Sequence, residues 1–598
     1  MTRSLFSELK RRNVLRAGAF YVAAVWALAQ GIAQLGPAFG MPDWGTRWFV
    51  IAGVIGFPLW IAFSWFYEFT PEGLKRESEV EPHESITHLT GRKLDFAIIA
   101  VLGIAVVLLL TDRFVLHHGI NEDVAIAVPE KSIAVLPFAD MSSDKDQEYF
   151  SDGISEELLN LLAKIPQLQV TARTSSFSFK GKEIAIPQIA RQLHVAHVLE
   201  GSVRKAGNAV RITAQLIDAA TDTHLWSQTY DRKLDDIFAI QDEIAADVVK
   251  QLRVTLLGTA PKARNTNSEA YALYLQAIQL GRQFTADAFK QSDALYRKVL
   301  AIDPNYAPAW DGLARNSTNE ANLSLLPSRE GFSRAREAEL KALEIDPEFA
   351  PAHASLGWIE LYGENNLAAS ARRFERALAI DSTDTRVLGS SAALLQGLGR
   401  LDEALALEAA VMRRDPVNVT ALSNLGYDQR WAGRFDEAVA TFRTVLSLSP
   451  GYGGAHAQLG YTLLLKGDAA GALAEIEQET SETWRMIGLP MAYHALGRKL
   501  DSDAALAALI DKYEKDSPCN IAYVYAFRGE GDRTFEWLDK AVEYADPGVS
   551  EVATENLFAN VRDDPRWLPF LRRIGRAPEQ LSTIPFKLTL PTSVAMGR

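Results

Sequence analysis

Few side chains in this sequence have the type and spacing that catalysis needs. Phe179-Lys180-Gly181-Lys182 has the ending of a phosphate-cradling loop, but position 176 is Ser where the leading Gly is required, so the motif fails. His194 and His197, three apart on a predicted strand edge, would point to opposite faces rather than share a metal. His117-His118 lies in a linker. Glu156-Glu157 suits the first turn of a helix, where carboxylates complement the helix dipole, better than an acid/base pair. Arg173-Thr174-Ser175 forms a polar turn that either binds an anion or closes its own hydrogen bonds. Neither Gly-x-Ser-x-Gly nor His-Glu-x-x-His occurs. The single cysteine, Cys519, can form no intrachain disulfide and no thiolate cluster. The expectation is a non-enzyme with no catalytic, cofactor-binding or metal-binding residues.

The C-terminal half carries a different signal, a repeat. Asp303-Pro304, Asp346-Pro347, Asp381-Ser382, Asp415-Pro416 and Ser449-Pro450 mark helix exits at steps of 43, 35, 34 and 34 residues. Small residues recur at Ala404, Ala438, Ala472 and Ala504, and Gly397, Gly433 and Gly467 end the first helix of a pair. With Leu425-Gly426-Tyr427, Gly433, Ala438, Phe442 and Pro450, the pattern resembles the tetratricopeptide repeat, whose period is 34. The first step then implies an insertion around 317–328. The resemblance implies an all-α superhelix over 268–575, built from helix pairs that bury a core only between neighbours, with a cap near Asp563-Asp564-Pro565-Arg566-Trp567 and a tail at 576–598. It also implies that Trp358, Tyr427 and Tyr461, each following Leu-Gly, face a concave groove, with Arg430 one turn on from Tyr427 as a carboxylate or backbone contact. These four residues either line a site for a protein or peptide ligand or pack between helices.

Ahead of the repeats, residues 131–256 read as an α/β block. Ser132–Phe138 is a buried strand. A helix starting at Asp152-Gly153 buries Ile154, Leu158, Leu161, Leu162 and Ile165. A hairpin turns at Gly207-Asn208, and a closing helix carries Ile237, Ile240, Ile244, Val248 and Leu252 on one face. Glu148-Tyr149-Phe150-Ser151-Asp152-Gly153, Ala172-Arg173-Thr174-Ser175-Ser176-Phe177, Leu199-Glu200-Gly201-Ser202-Val203-Arg204, Val210–Leu216 and Ile240–Ile244 resemble the TolB-like N-terminal domain. In that family the domain often lies between a membrane segment and tetratricopeptide repeats. Relatives carry a nucleotide cyclase or a winged-helix DNA-binding domain as their cytoplasmic head. The first 14 residues are too few for either head, so neither role is carried over.

Three apolar stretches precede the block, and hydropathy reads them as a three-helix transmembrane head: 15–36, 47–67 and 94–112. Cations cluster before the first stretch and in the 68–93 loop, which places 1–14 and 68–93 in the cytoplasm. Residues 113–598, entered through a linker at 113–130 and divided by a second at 257–267, would then be periplasmic, with the protein multi-pass in a bacterial inner membrane and the lipid bilayer as a partner. The net charge of −13 lies wholly beyond residue 112, which argues against nucleic acid as a partner. A homo-oligomer is compatible with the sequence. The function expected is a non-catalytic, membrane-anchored scaffold that binds protein or peptide. The alternative is a transmembrane receptor that passes ligand state to a separate cytoplasmic effector.

Overall fold

The computed structural model describes residues 44–70, 73–76 and 128–588, apart from 143–146, 166, 255–265, 324 and 545, together with scattered positions between 14 and 29. Two compact units result, 1–127 and 128–598.

In the first unit, helix α1 (Trp44–Phe66) contains Pro58 and runs into a hairpin of β1 (Tyr67–Thr70) and β2 (Gly73–Arg76). Among the described residues no helix is long and apolar enough to cross a membrane. This corrects the three-span head and, with it, the bilayer as partner and the multi-pass inner-membrane placement with 113–598 periplasmic. The physical reason is that an apolar run does not say what it is buried against. Tyr21 donates to the Gly53 carbonyl (3.0 Å), and its ring lies 5.8 Å from those of both Phe57 and Trp60, while Val22, Leu28, Val54 and Ile55 are exposed. The stretch 94–112 and most of the 68–93 loop fall outside the described residues.

The second unit begins with the α/β block. Its sheet has the order β5 (Gln169–Val170), β3 (Ser132–Val135), β6 (His197–Ala206), β7 (Ala209–Asp218), β8 (Thr223–Lys233), with β4 (Ala139–Asp140) also on β6. The β3 pairings are parallel, and β6, β7 and β8 form an antiparallel meander whose first turn is Gly207 (φ 58°) and Asn208. Helices α2 (Glu148–Ala163) and α5 (Ile237–Gln251) cover one face, α3 (Arg173–Phe177) and α4 (Ile186–Leu193) the other. Helix α2 starts four residues before the expected Asp152. Phe150 extends the apolar period of Ile154, Leu158 and Leu161 by one more turn, which leaves Glu156 and Glu157 in mid-helix.

Helix pairs follow, the first sharing its core with the α/β block. They are α6 (Ser268–Gly281) with α7 (Ala286–Ile302), α8 (Ala307–Asn322) with α9 (Ser328–Ile345), α10 (Ala350–Trp358) with α11 (Leu367–Ile380), and α12 (Thr385–Gly397) with α13 (Leu401–Arg414). The array continues with α14 (Val419–Trp431) and α15 (Phe435–Leu448), α16 (Ala455–Leu465) and α17 (Ala469–Gln478), α18 (Glu482–Ala495) and α19 (Lys499–Tyr513), then α20 (Pro518–Phe527) and α21 (Gly531–Glu543). This is an all-helical tetratricopeptide-like superhelix. Asp303, Asp346, Asp381, Asp415 and Ser449 cap the second helices of the first five pairs.

Two details depart from expectation and one refines it. The long first step arises because α8 and α9 are themselves long, at 16 and 18 residues, rather than from an inserted loop. Gly397 is the last residue of α12, as the repeat pattern expects, and the left-handed turn beyond it is Gly399 (φ 72°), where the Gly399 and Arg400 N–H groups reach the last carbonyls of the helix. At the α18–α19 contact the small residue is Ser502, fully buried and donating to the Pro490 carbonyl (2.7 Å), while Ala504 is exposed.

The repeats return to touch the α/β block. A Cβ on Gly153 would sit 2.5 Å from a Leu275 methyl, so α2 and α6 are as close as glycine allows. At the exit of the fourth pair, the Asp415 carboxylate takes hydrogen bonds from Ser175 N–H (2.9 Å) and Oγ (2.7 Å), and Val417 N–H donates to that same Oγ (3.1 Å). Gln169 donates to the Arg413 carbonyl, Ala172 N–H to that of Arg414, and Thr383 to that of Ala163. The polar turn at 173–175 thus holds an anion, and the anion belongs to the chain's own repeat exit. Ser175→Ala removes the hydroxyl that both donates to Asp415 and accepts from Val417, and is expected to lower unfolding free energy in urea by about 1–3 kcal/mol. An unchanged midpoint would mean the docking contributes nothing.

Candidate functional site

Helix α14 presents Tyr427, Asp428, Arg430 and Trp431 near its C-terminal end. The first turn of α15 follows after Gly433, whose φ of 73° lets the Arg434 N–H close the helix on the Gln429 carbonyl. Arg430 is 2% exposed. Its Nη1 and Nη2 donate to the two carboxylate oxygens of Glu555, at 2.9 and 2.8 Å, and Trp431 Nε1 donates to Glu555 Oε2 at 3.2 Å. Burial disfavours the guanidinium charge, but Glu555 and then Tyr427 more than compensate, and the Arg430 pKa rises. The Tyr427 ring packs edge-on to Phe442 and lies 5.9 Å from the Arg430 guanidinium.

Glu555 belongs to a segment 125 residues away that lies against this wall. It caps the 3₁₀ turn Asn556–Val561 by accepting from Leu557 N–H (3.0 Å), and Asn556 Nδ2 donates to the carbonyls of Arg430 (2.7 Å) and Trp431 (3.1 Å). Val552, Leu557 and Phe558 are buried in the cluster that holds Tyr461 and Tyr523. Tyr461 Oη donates to the Trp484 carbonyl (2.7 Å), and its ring reaches Tyr523, which in turn meets Phe558. Tyr427, Arg430 and Tyr461 therefore share one wall, and a stretch of the same chain covers it. Trp358 is half-buried, with its ring 4.4 Å from that of Tyr362. Sequence reasoning did not find Glu555, because nothing near it shows a helix period and its partner is remote.

A buried carboxyl sits beside the wall. Asp428 is fully buried, and burial raises its pKa to about 7, with Gln396 offsetting only part of the effect. Glu408, also buried, is pushed well up by burial and then by Asp428.

A second feature lies where α2 meets α6, a cavity of about 210 Å³ lined by Tyr149, Asp152, Glu156, Arg173, Leu275 and Arg282 among others. Glu156 bridges Arg282 (2.6 and 2.8 Å) and Arg173 (3.0 Å). Burial opposes its charge, and the two cations together still hold its pKa below the usual range. Arg173 lies flat on Phe177 at 4.0 Å, and Lys180 is paired with Asp152. Among the described residues no group of three or more His, Cys, Asp or Glu could hold a metal ion.

The family described as "HilA/YgeH-like transcriptional regulator, second domain" matches residues 129–247, which is the α/β block. A 187-residue stretch, 31% of this chain, is 46% identical to "Putative adenylate cyclase 3" of Rhizobium meliloti (strain 1021), and the match spans about a third (32%) of that relative. Among solved structures, Pseudomonas aeruginosa PilF aligns at 21% identity and a TM-score of 0.28, over 34% of this chain and 92% of that one. YrrB, described as a TPR protein with an unusual peptide-binding site, aligns at 22% and 0.25, over 36% and 96%. Human IFIT1 with PPP-AAAA aligns at 16% and 0.33, over 52% and 78%.

The Asp428 pKa gives a pH prediction. A carboxyl raised from 3.8 to about 7 on folding carries no penalty below its unfolded value; the penalty grows as pH climbs towards 7 and is constant above. Asp428→Asn should match the parent at pH 4 and exceed it at pH 8 by up to about 4 kcal/mol of unfolding free energy. A difference independent of pH would contradict the burial argument.

Proposed function

We propose that this chain is a non-catalytic scaffold that binds protein or peptide through its repeat superhelix. In this reading the α/β block, with its resemblance to the TolB-like domain, is the rigid mount. The observation that carries the reading is the wall at Tyr427, Arg430 and Tyr461, which already accommodates a length of polypeptide. It receives a carboxylate on a guanidinium, an amide on main-chain carbonyls and an apolar run beside tyrosines. These are the contacts by which a repeat array would take a partner chain. Trp358 and the neighbouring Tyr362, 39% exposed, extend the binding face beyond the segment that covers Arg430.

A second reading is favoured by the relatives. The matches to a regulator's second domain and to a protein named as an adenylate cyclase support a sensory part in signalling, with output made by a separate effector. The two readings separate on whether the bound partner is itself a signalling enzyme or regulator.

A photo-crosslinking residue placed at Tyr362 is expected to give discrete protein adducts in cells that make the full chain, with at least a fivefold loss on adding Trp358→Ala. The same residue at Leu500, 85% exposed on the α18–α19 pair, should give none. Equal labelling at both positions, or no adduct at Tyr362, would count against the scaffold.

A further inference from the structure

The repeat array is complete at α22 (Trp567–Arg573), yet the chain continues and folds back on earlier repeats. After Gly575, Arg576 is buried and donates through Nη2 to Asn365 Oδ1 (2.6 Å) in the turn between α10 and α11. A short helix, α23 (Pro578–Leu581), leads into a run without regular secondary structure, 585–588. Phe586, 6% exposed, enters the apolar cluster that includes Leu361, Leu367, Ala371, Leu398 and Ala404, and Leu581, Ile584 and Leu588 pack beside it. Two charged side chains clip its backbone. Arg400, in the turn between α12 and α13, donates to the Phe586 carbonyl (2.8 Å) with its guanidinium 5.7 Å from the Phe586 ring, and the Lys587 N–H donates to Glu375. Arg400 is itself held by both oxygens of Glu403 (2.7 and 2.6 Å), so its direction is set by the repeat and not by the strap.

This is how a domain holds a peptide. One aromatic anchor fills an apolar hole, a fixed donor meets the anchor's carbonyl, and an acceptor meets the next N–H. No helix pairing ties the strap down, and its sequence neighbours 589–598 lie outside the described residues. We infer that the edge of the superhelix at Glu375, Arg400 and the apolar hole around Leu367 is a docking site for a proline-containing peptide with an aromatic anchor, occupied in cis by residues 581–588. The inference deepens the scaffold reading by giving it a second, exchangeable site and a ligand class. A partner carrying an apolar-Pro-aromatic run competes with the strap, and the affinity measured on the intact chain includes the work of displacing it.

The test uses the full chain. Phe586→Asp ejects the anchor, and a fluorescein-labelled peptide of residues 580–590 serves as probe. The variant should bind the peptide at least tenfold more tightly than the parent, and adding Arg400→Ala should reverse most of that gain. A variant with parental helical circular dichroism that does not bind the peptide, or parent and variant that bind it equally, would overturn the inference. If Phe586→Asp loses its fold, hydrogen exchange on the parent decides. Faster exchange of the strap, to Lys587, than of α11 and α13 supports an exchangeable strap, and uniform exchange overturns it. Absent peptide binding with adducts still present at Tyr362 sinks the strap site alone. Peptide binding without those adducts sinks the scaffold face alone.

Discussion

At Arg430 and Glu555 a guanidinium and a carboxylate leave water together, and the C-terminal third of the protein is arranged around them. Either charge buried alone would cost several kcal/mol, so the wall of α14 and the Glu555 segment are complete only in each other's presence. The same carboxylate caps the turn that follows it, which aims Asn556 at the carbonyls of Arg430 and Trp431 and sends Leu557 and Phe558 into the core beside Tyr461 and Tyr523. One ion pair thereby fixes the register of a whole segment against the repeats. Bidentate geometry makes arginine the residue for this task, since a lysine would leave the segment free to rotate about a single point charge.

A second closure works at the other end. The core of the α/β block runs without interruption into α6 and α7, and the fourth pair returns to the block through Asp415 and Ser175. A solenoid contacts only its neighbours and is free to flex along its length. Here contacts between residues more than two hundred positions apart, Ser175 with Asp415 and Phe586 with the repeats near Leu361, tie distant turns together. The superhelix is therefore tied at two points along its length.

The sequence made local order legible and long-range pairing illegible. Asp303, Asp346, Asp381 and Asp415 announced the helix exits because a cap is a local event, and the hairpin at Gly207-Asn208 was readable for the same reason. Glu555 gave no signal, since no periodicity marks a residue whose partner lies 125 positions away. Residues 576–598 read as a tail, although the alternation of Phe586, Leu588 and Leu590 could have marked a strap. Glu156 looked like a helix-start residue until Phe150 placed the start of α2 four residues earlier, and its two arginine partners come from 173 and 282. Hydropathy read three spans ahead of the block, whereas among the described residues no helix is long and apolar enough to cross a membrane. Of the residues singled out for binding, Arg430 pairs with Glu555, Tyr427 packs on Phe442, Tyr461 on Tyr523, and Trp358 on Tyr362.

A double-mutant cycle on unfolding free energy, using Arg430→Ala, Glu555→Ala and the pair, tests the central claim most directly. If the ion pair seats the segment on the repeat wall, the double variant should cost much less than the sum of the singles, with a coupling of roughly 2 kcal/mol or more. Additive losses would contradict the account, because the wall and the segment would then be stable independently.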